Sequence, residues 1–512
     1  MGLGTTAAVA LAGLAGHVVE VQAQLAASVP GFTLVGLPDT ALHESRERVR
    51  AAVLSTGIPW PNRKITVNLS PASLRKAGSS FDLAVAVAVL AGSRVVPAAG
   101  LERVVHLGEL GLDGRLQPVR GVLPAVAAAV AAGYRDVVVP AGDAAEARLV
   151  PGVRVQGAAS LAEVVLLHGG ELEHVPDVEA VRPVRQPVAR RVAGDLADVV
   201  GQAQARMALE VAAAGGHHLL LVGPPGAGKT MLAARLPGIL PDLTAAEAVE
   251  VTSVHSVAGT FDPGDGLVTR PPFEDPHHTA TPAAIVGGGS QVARPGAVSR
   301  AHRGVLMLDE APEFPSRVLE TLRQPLEAGE LVLHRSGGAA RYPARFQLVL
   351  TANPCPCGMA SLNKGFDCSC TPTAKRRYFG RLSGPLLDRV DLQVEVAPVT
   401  RADRLSGTSG EGSARVAARV AAARGAARER LSGTGWTTNA EVPGSWLRER
   451  LGPERRVLGQ VEQMIDRGTL TLRGADRVLR VAWTLADLGG RTVPDSTDVA
   501  AAVALRTRGN HG

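Results

Sequence analysis

Gly223-Pro224-Pro225-Gly226-Ala227-Gly228-Lys229-Thr230 packs three glycines, an ammonium and a hydroxyl into one short stretch. Glycines let the backbone curl until successive amides face a single anion, and the amino terminus of a following helix adds the positive end of its dipole. In that setting Lys229 reaches the β and γ phosphates of ATP, and Thr230 holds Mg²⁺. The pattern carries this meaning only between a strand and a helix. Leu219 to Val222 is a strand-like apolar run, and Met231 to Leu236 is helical in pattern, so the context is met.

Two further apolar runs end in polar groups. Gly304 to Leu308 stops at Asp309-Glu310, and Phe346 to Thr351 runs into Ala352-Asn353. A carboxylate at the first position can hold the Mg²⁺ shell, and the next can polarise an attacking water, which gives Asp309 to the metal and Glu310 to the water. Asn353 offers an uncharged amide to orient that water and sense the γ phosphate, although Asn before Pro354 is also ordinary turn chemistry. With His217 to Val222, these runs predict a parallel sheet that binds ligands at its carboxyl edge.

All four cysteines fall within one short stretch, as Cys355-x-Cys357 and Cys368-x-Cys370. Such clustering points to a local site rather than to a disulfide framework. Four thiolates suit a tetrahedral structural Zn²⁺ that stiffens the loop after Asn353; four reduced, unliganded thiols are the alternative.

The elements that must hold these groups are drawn from 512 residues, enough for roughly two to four domains. Hydrophobic residues make up 46% and aromatics 3%, so Ala, Val and Leu must fill the cores of an α/β protein. The net charge of +6 permits nucleic acid contact, but it is spread over the chain and decides nothing alone. No uncharged apolar run reaches membrane-spanning length, and Met1 to Gly16 lacks a basic start, so no membrane partner and a cytoplasmic location are expected.

Residues 1–170 alternate strand-like runs (Val18 to Gln22, Lys64 to Leu69, Asp136 to Pro140) with Ala-rich helical stretches (Phe81 to Ala91, Leu123 to Ala132). A Pro, Val and Arg-rich linker is expected over 171–194, the ATP-binding domain over 195–400, and a helical region over 401–512, including Ala414 to Arg430 and Asp476 to Leu488. Ser406 to Ser413, rich in Gly and Ser, reads as a flexible connection.

The ordered motifs resemble the AAA ATPases related to the ATPase subunit of magnesium chelatase, and within them the ComM/YifB group. Besides the P-loop, the resemblance is carried by Asp198 to Gln202, Pro276-His277-His278-Thr279, Arg303 to Glu310, Asn353-Pro354-Cys355-Pro356-Cys357-Gly358 and Ser383 to Arg389. It implies a P-loop AAA+ domain with a C-terminal helical lid, Asn353 as first sensor, and Arg389 as an arginine finger acting on a neighbour's nucleotide. It further implies Arg473 as second sensor, with Arg477 as its rival, and a homohexamer. The ComM branch implies a helicase that drives branch migration of DNA in recombination during natural transformation; the chelatase relation implies a protein-remodelling or metal-insertion motor instead. One departure is Pro272-Phe273-Glu274-Asp275-Pro276, where the family pattern carries arginine. Two acids there weigh against this insert gripping an anionic strand. His277 and His278 are candidates for metal, DNA or structural contacts.

In the amino-terminal part, Ile65 to Leu69, Gly78 to Leu83, Gly108 to Leu110 and Val119 to Pro124 look like the Lon protease fold. Ser80 sits near the serine position of that fold, but Pro124 stands where its lysine belongs and has no base to offer. A non-proteolytic α/β platform is therefore expected.

Overall fold

The computed structural model describes every residue except 1, 38, 75, 77, 176–177, 185–193, 290–293, 336–337, 361–367, 402, 404–409, 452–455 and 507–512. The amino-terminal part is built on a seven-stranded mixed sheet in the order Gly31–Val35, Lys64–Ser70, Ala15–Ala26, Gly2–Ala12, Val104–His106, Asp136–Pro140, Arg154–Ala158. Gly2–Ala12 and Ala15–Ala26 form a long antiparallel hairpin, so the strand-like stretch at Val18 extends in both directions. The last three strands run parallel. The helix Asp82–Gly92 is buried along its whole length against the hairpin. Gly4 permits that approach: a Cβ there would lie 2.2 Å from the carbonyl oxygen of Ala88.

A five-stranded sheet follows, in the order Phe273–Glu274, Val305–Leu308, Gln347–Ala352, Leu219–Val222, Leu392–Glu395, with every neighbouring pair parallel. Its three central strands are buried at each position, which is why they read as unbroken apolar runs rather than as alternation. The register aligns Leu221 with Thr351 and Leu308 with Leu350, so Gly223, Asp309 and Asn353 leave the sheet at one edge.

The helical carboxyl-terminal part is not a separate body. Val420, Ala423, Val478, Val481 and Trp483 share one core with Leu219 and Leu221 of the P-loop strand. Each such aliphatic side chain contributes about 1.5–3 kcal/mol by burial, which ties the helices Ser413–Arg430 and Leu472–Leu488 to the sheet. Residues 406–409 of the stretch expected to be a flexible connection lie outside the described residues. Its end is held: the Ser413 amide donates to Asp195 Oδ1 (2.9 Å), and the Ser413 hydroxyl accepts from the Leu196 amide (2.8 Å).

The amino-terminal part and the part built on the five-stranded sheet also touch. Glu146, buried, accepts from the Leu123 amide (3.1 Å) and from the Ser256 hydroxyl (2.5 Å) on the helix Ala245–Ala258. Among the described residues, no helix is long and apolar enough to cross a membrane.

Candidate functional site

The P-loop strand Leu219–Val222 ends at Gly223, whose amide donates to the Ala352 carbonyl (3.1 Å) of the neighbouring strand. The chain then turns through Gly226 and Gly228, at φ 77° and 90°, a left-handed region in which a side chain would be strained. It enters a short helix at Lys229. Lys229 is 7% exposed and its ammonium points into the loop, donating to the carbonyls of Gly223 (2.7 Å) and Pro224 (3.0 Å) and to Asn353 Oδ1 (3.0 Å). All three acceptors are neutral, so its charge remains available to an anion. Burial lowers the Lys229 pKa, and Asp309 and Glu310 pull it back up.

Thr230 places its hydroxyl 3.1 Å from both carboxylate oxygens of Asp309. Two cis ligands of an octahedral Mg²⁺ at about 2.1 Å stand about 3.0 Å apart, so this pair has the spacing the ion needs. Asp309 is aimed by Thr351, whose hydroxyl donates to Asp309 Oδ1 (2.6 Å) and accepts from the Glu310 amide (2.9 Å). Glu310 is exposed and adopts φ 52°, which a non-glycine residue accepts only at an energetic cost. That turn projects its carboxylate beyond the sheet edge instead of continuing the strand. Thr351 is a site residue that sequence reasoning missed; it reads as the polar end of an apolar run, and only strand register exposes its role.

Pro224, Pro225 and Ala227 complete the loop wall. Gln202 braces it by donating from Nε2 to the Ala227 carbonyl (3.2 Å). The structure thus brings together Lys229, Thr230, Asp309, Glu310 and Asn353, five groups taken from three adjacent strand ends.

Arg389 follows the short helix Gly384–Leu387. Its guanidinium pairs with Glu327 and donates to the Pro385 carbonyl of its own chain. Burial and the neighbouring cations Arg323, Arg477 and Arg473 all lower its pKa. Arg473 and Arg477 therefore gather at the Arg389 segment. Arg473 has a side chain 84% exposed, 3.7 Å from Asp388. Arg477 is committed to structure: its Nη1 donates to Asp391 Oδ1 (2.6 Å) and to the Arg389 carbonyl (3.1 Å). Asp391 is fully buried, which alone would raise its pKa. The His217 ring, with Nδ1 3.4 Å from Asp391 Oδ2, and the Arg477 charge reverse this and hold it far below the carboxylate range.

In the insert, Arg300, the last residue of the short helix Ala297–Arg300, grips Glu274 through Nη2 (2.7 Å) and Nε (3.0 Å). One of the two acids at the departure from the family pattern, Glu274, is thus neutralised internally. His277 and His278 stack with ring centroids 4.1 Å apart, and His278 meets Phe314 edge-on.

In the amino-terminal sheet, Ser79 rather than Ser80 donates to Glu109. Pro124 sits in the first turn of the helix Val122–Ala131, where its missing amide costs nothing. The four cysteines Cys355, Cys357, Cys368 and Cys370 converge, with their sulfurs within 4.8 Å of one another.

Comparison with known proteins agrees with this arrangement. The family model described as magnesium chelatase, subunit ChlI, matches residues 195–404. Models described as subunit ChlI of Mg-chelatase and as its C-terminal part match 19–143 and 410–506. An uncharacterized protein of Mycobacterium tuberculosis is 53% identical over 509 residues, 99% of each chain. The protein YifB of Escherichia coli is 40% identical over 472 residues, 92% of this chain and 90% of its own. The competence protein ComM of Haemophilus influenzae is 39% identical over 479 residues, 93% and 92% of the two chains. With its P-loop on a parallel sheet, its helical carboxyl-terminal part and these relatives spanning nearly its whole length, the chain belongs to the ComM/YifB group of magnesium chelatase-like AAA+ ATPases.

Proposed function

We propose that the chain is an ATP-hydrolysing motor that works as a homohexameric ring on DNA, driving branch migration during recombination. The observation that carries the ATPase half is the spacing of Thr230 and Asp309, beside an ammonium that donates to the neutral oxygens of Gly223, Pro224 and Asn353.

In this reading the P-loop amides and Lys229 hold the β and γ phosphates. Thr230 and Asp309 supply protein ligands to Mg²⁺, which neutralises charge on the phosphate oxygens when bound. Glu310 takes a proton from the attacking water, and Asn353 orients that water against the γ phosphate. Asn353 Oδ1 already accepts from Lys229, which links the sensor directly to the phosphate-binding ammonium. Arg389 leaves Glu327 and reaches a neighbouring protomer's nucleotide, where a fixed guanidinium stabilises charge in the transition state. Arg473 contributes as second sensor from its exposed position; Arg477 is occupied by Asp391.

For the DNA half, support comes from kinship with a relative named competence protein. A protein-remodelling or metal-insertion motor is the second reading, favoured by the chelatase family match. ATP turnover of the purified chain, measured alone and with single-stranded, duplex and branched DNA, separates them. Stimulation by branched DNA is expected. Turnover indifferent to every nucleic acid transfers the assignment to protein remodelling.

A further inference from the structure

The cysteine cluster touches the nucleotide site. Cys355 Sγ lies 3.2 Å from Cys357 Sγ and 3.6 Å from Cys368 Sγ, and Cys357 Sγ lies 3.7 Å from Cys368 Sγ. A disulfide holds its sulfurs about 2.05 Å apart, so these are separate thiols. Four sulfurs about 2.3 Å from a tetrahedral Zn²⁺ stand about 3.8 Å from one another, so only small shifts separate this cluster from a closed zinc site. Backbone donors already serve the sulfurs: the Ala360 amide points at Cys355 Sγ (3.3 Å) and the Met359 amide at Cys357 Sγ (3.5 Å). Such outer-shell amides stabilise thiolates and fix ligand orientation. Gly358, at φ 76°, makes the turn between them, with its own amide on the Cys355 carbonyl (3.0 Å).

The turn lies directly on the phosphate loop. A Cβ added to Gly358 would stand 2.7 Å from both Cδ and Cγ of Pro225. At its other end, Cys355 is two residues from Asn353, whose amide oxygen holds Lys229. The thiol-bearing loop therefore reaches the P-loop twice, at Pro225 and through Asn353.

We infer that Cys355, Cys357, Cys368 and Cys370 hold one Zn²⁺, and that the metal-bound loop buttresses Pro225 and Asn353, so that zinc occupancy sets nucleotide affinity. The coupling rests on the P-loop being the nucleotide site. As Zn²⁺ binds, four Zn–S bonds form and the four thiol protons pass to solvent, with no change of oxidation state. The seat is closed by four sulfurs, which makes it structural; it has no open position for substrate.

The test uses full-length protein, with zinc counted by mass spectrometry and a fluorescent ATP analogue titrated before and after zinc removal and after zinc return. One zinc per chain is expected, and its removal should weaken nucleotide binding at least about tenfold, the scale of losing an orienting outer shell. Zinc return should restore affinity. Cys357→Ser should lower both zinc content and affinity. Gly358→Ala keeps all four thiols, so it should keep its zinc yet lose affinity through the clash with Pro225, a combination general unfolding does not produce. Zinc below a tenth of an equivalent after reconstitution overturns the metal site. Unchanged affinity in both zinc-free protein and Gly358→Ala overturns the coupling. If zinc-loaded protein and Lys229→Ala bind nucleotide equally poorly, the P-loop reading fails while the zinc count still decides the metal.

Discussion

Thr351→Val tests whether the acids at the sheet edge are positioned for chemistry. The exchange keeps the shape of a fully buried side chain and deletes only the hydroxyl. Two bonds are lost: the one donated to Asp309 Oδ1 (2.6 Å) and the one accepted from the Glu310 amide (2.9 Å). A hydrogen bond to a charged group is worth about 1.5–3 kcal/mol. If that energy orients Asp309 towards Mg²⁺ in the transition state, kcat falls about 10- to 150-fold. The freed Glu310 amide relaxes a backbone already at φ 52°, which adds to the loss and cannot reduce it. Steady-state ATP turnover against Mg²⁺ concentration gives the answer, with thermal unfolding as a control for fold. Thr351→Ser retains the hydroxyl and should keep most of the rate. Wild-type turnover and Mg²⁺ dependence in a folded Thr351→Val protein would refute the idea that Asp309 must be aimed.

Arg389→Ala should abolish turnover while leaving nucleotide affinity within about threefold, because the side chain pairs with Glu327 in its own chain and is offered to a neighbour. Mixing it with Lys229→Ala chains should restore part of the rate; strictly additive inactivity in assembled mixtures speaks against a finger in trans. Asp391→Asn should cost about 3–5 kcal/mol at neutral pH, since it strands the Arg477 guanidinium, and denaturant unfolding measures this. Because the folded-state pKa of Asp391 is depressed, its contribution is present above the unfolded value near about 3.9 and is lost as pH falls below it. Buried His218, with its pKa pushed down to about 4, adds a loss as pH falls from about 6.5 to about 4. The variant should therefore lack the Asp391 part of the decline that begins at about pH 4, while the His218 part, no longer opposed by the Asp391 charge, should extend to lower pH than in the wild type.

The P-loop, Asp309, Glu310 and Asn353 were legible because strands buried on both faces appear as apolar runs, and the polar residue ending each run must sit at the sheet edge. The runs began one or two residues early, at His217, Gly304 and Phe346, since apolar character or a preceding turn residue extends beyond the hydrogen-bonded ladder. Thr351 was not legible. Its meaning depends on the register that sets it beside Asp309, a residue 42 positions away. Arg473 and Arg477 lie one helical turn apart on the same helix, and it is the fold that sets the buried carboxylate of Asp391 against Arg477. The strand Gly2–Ala12 escaped notice because its small apolar residues do not alternate with polar ones. Glu274 looked like an unfavourable acid in sequence; its partner Arg300 is 26 residues away and no local pattern links them.

The most direct measurement is ATP turnover and bound nucleotide in the Glu310→Gln chain beside wild type, both with Mg²⁺. Removing the carboxylate that accepts the water's proton should leave ATP bound and slow hydrolysis by about 10²- to 10⁴-fold, the usual scale of general-base catalysis. A Glu310→Gln protein that binds ATP and hydrolyses it at the wild-type rate contradicts the assignment of this sheet edge as the catalytic site.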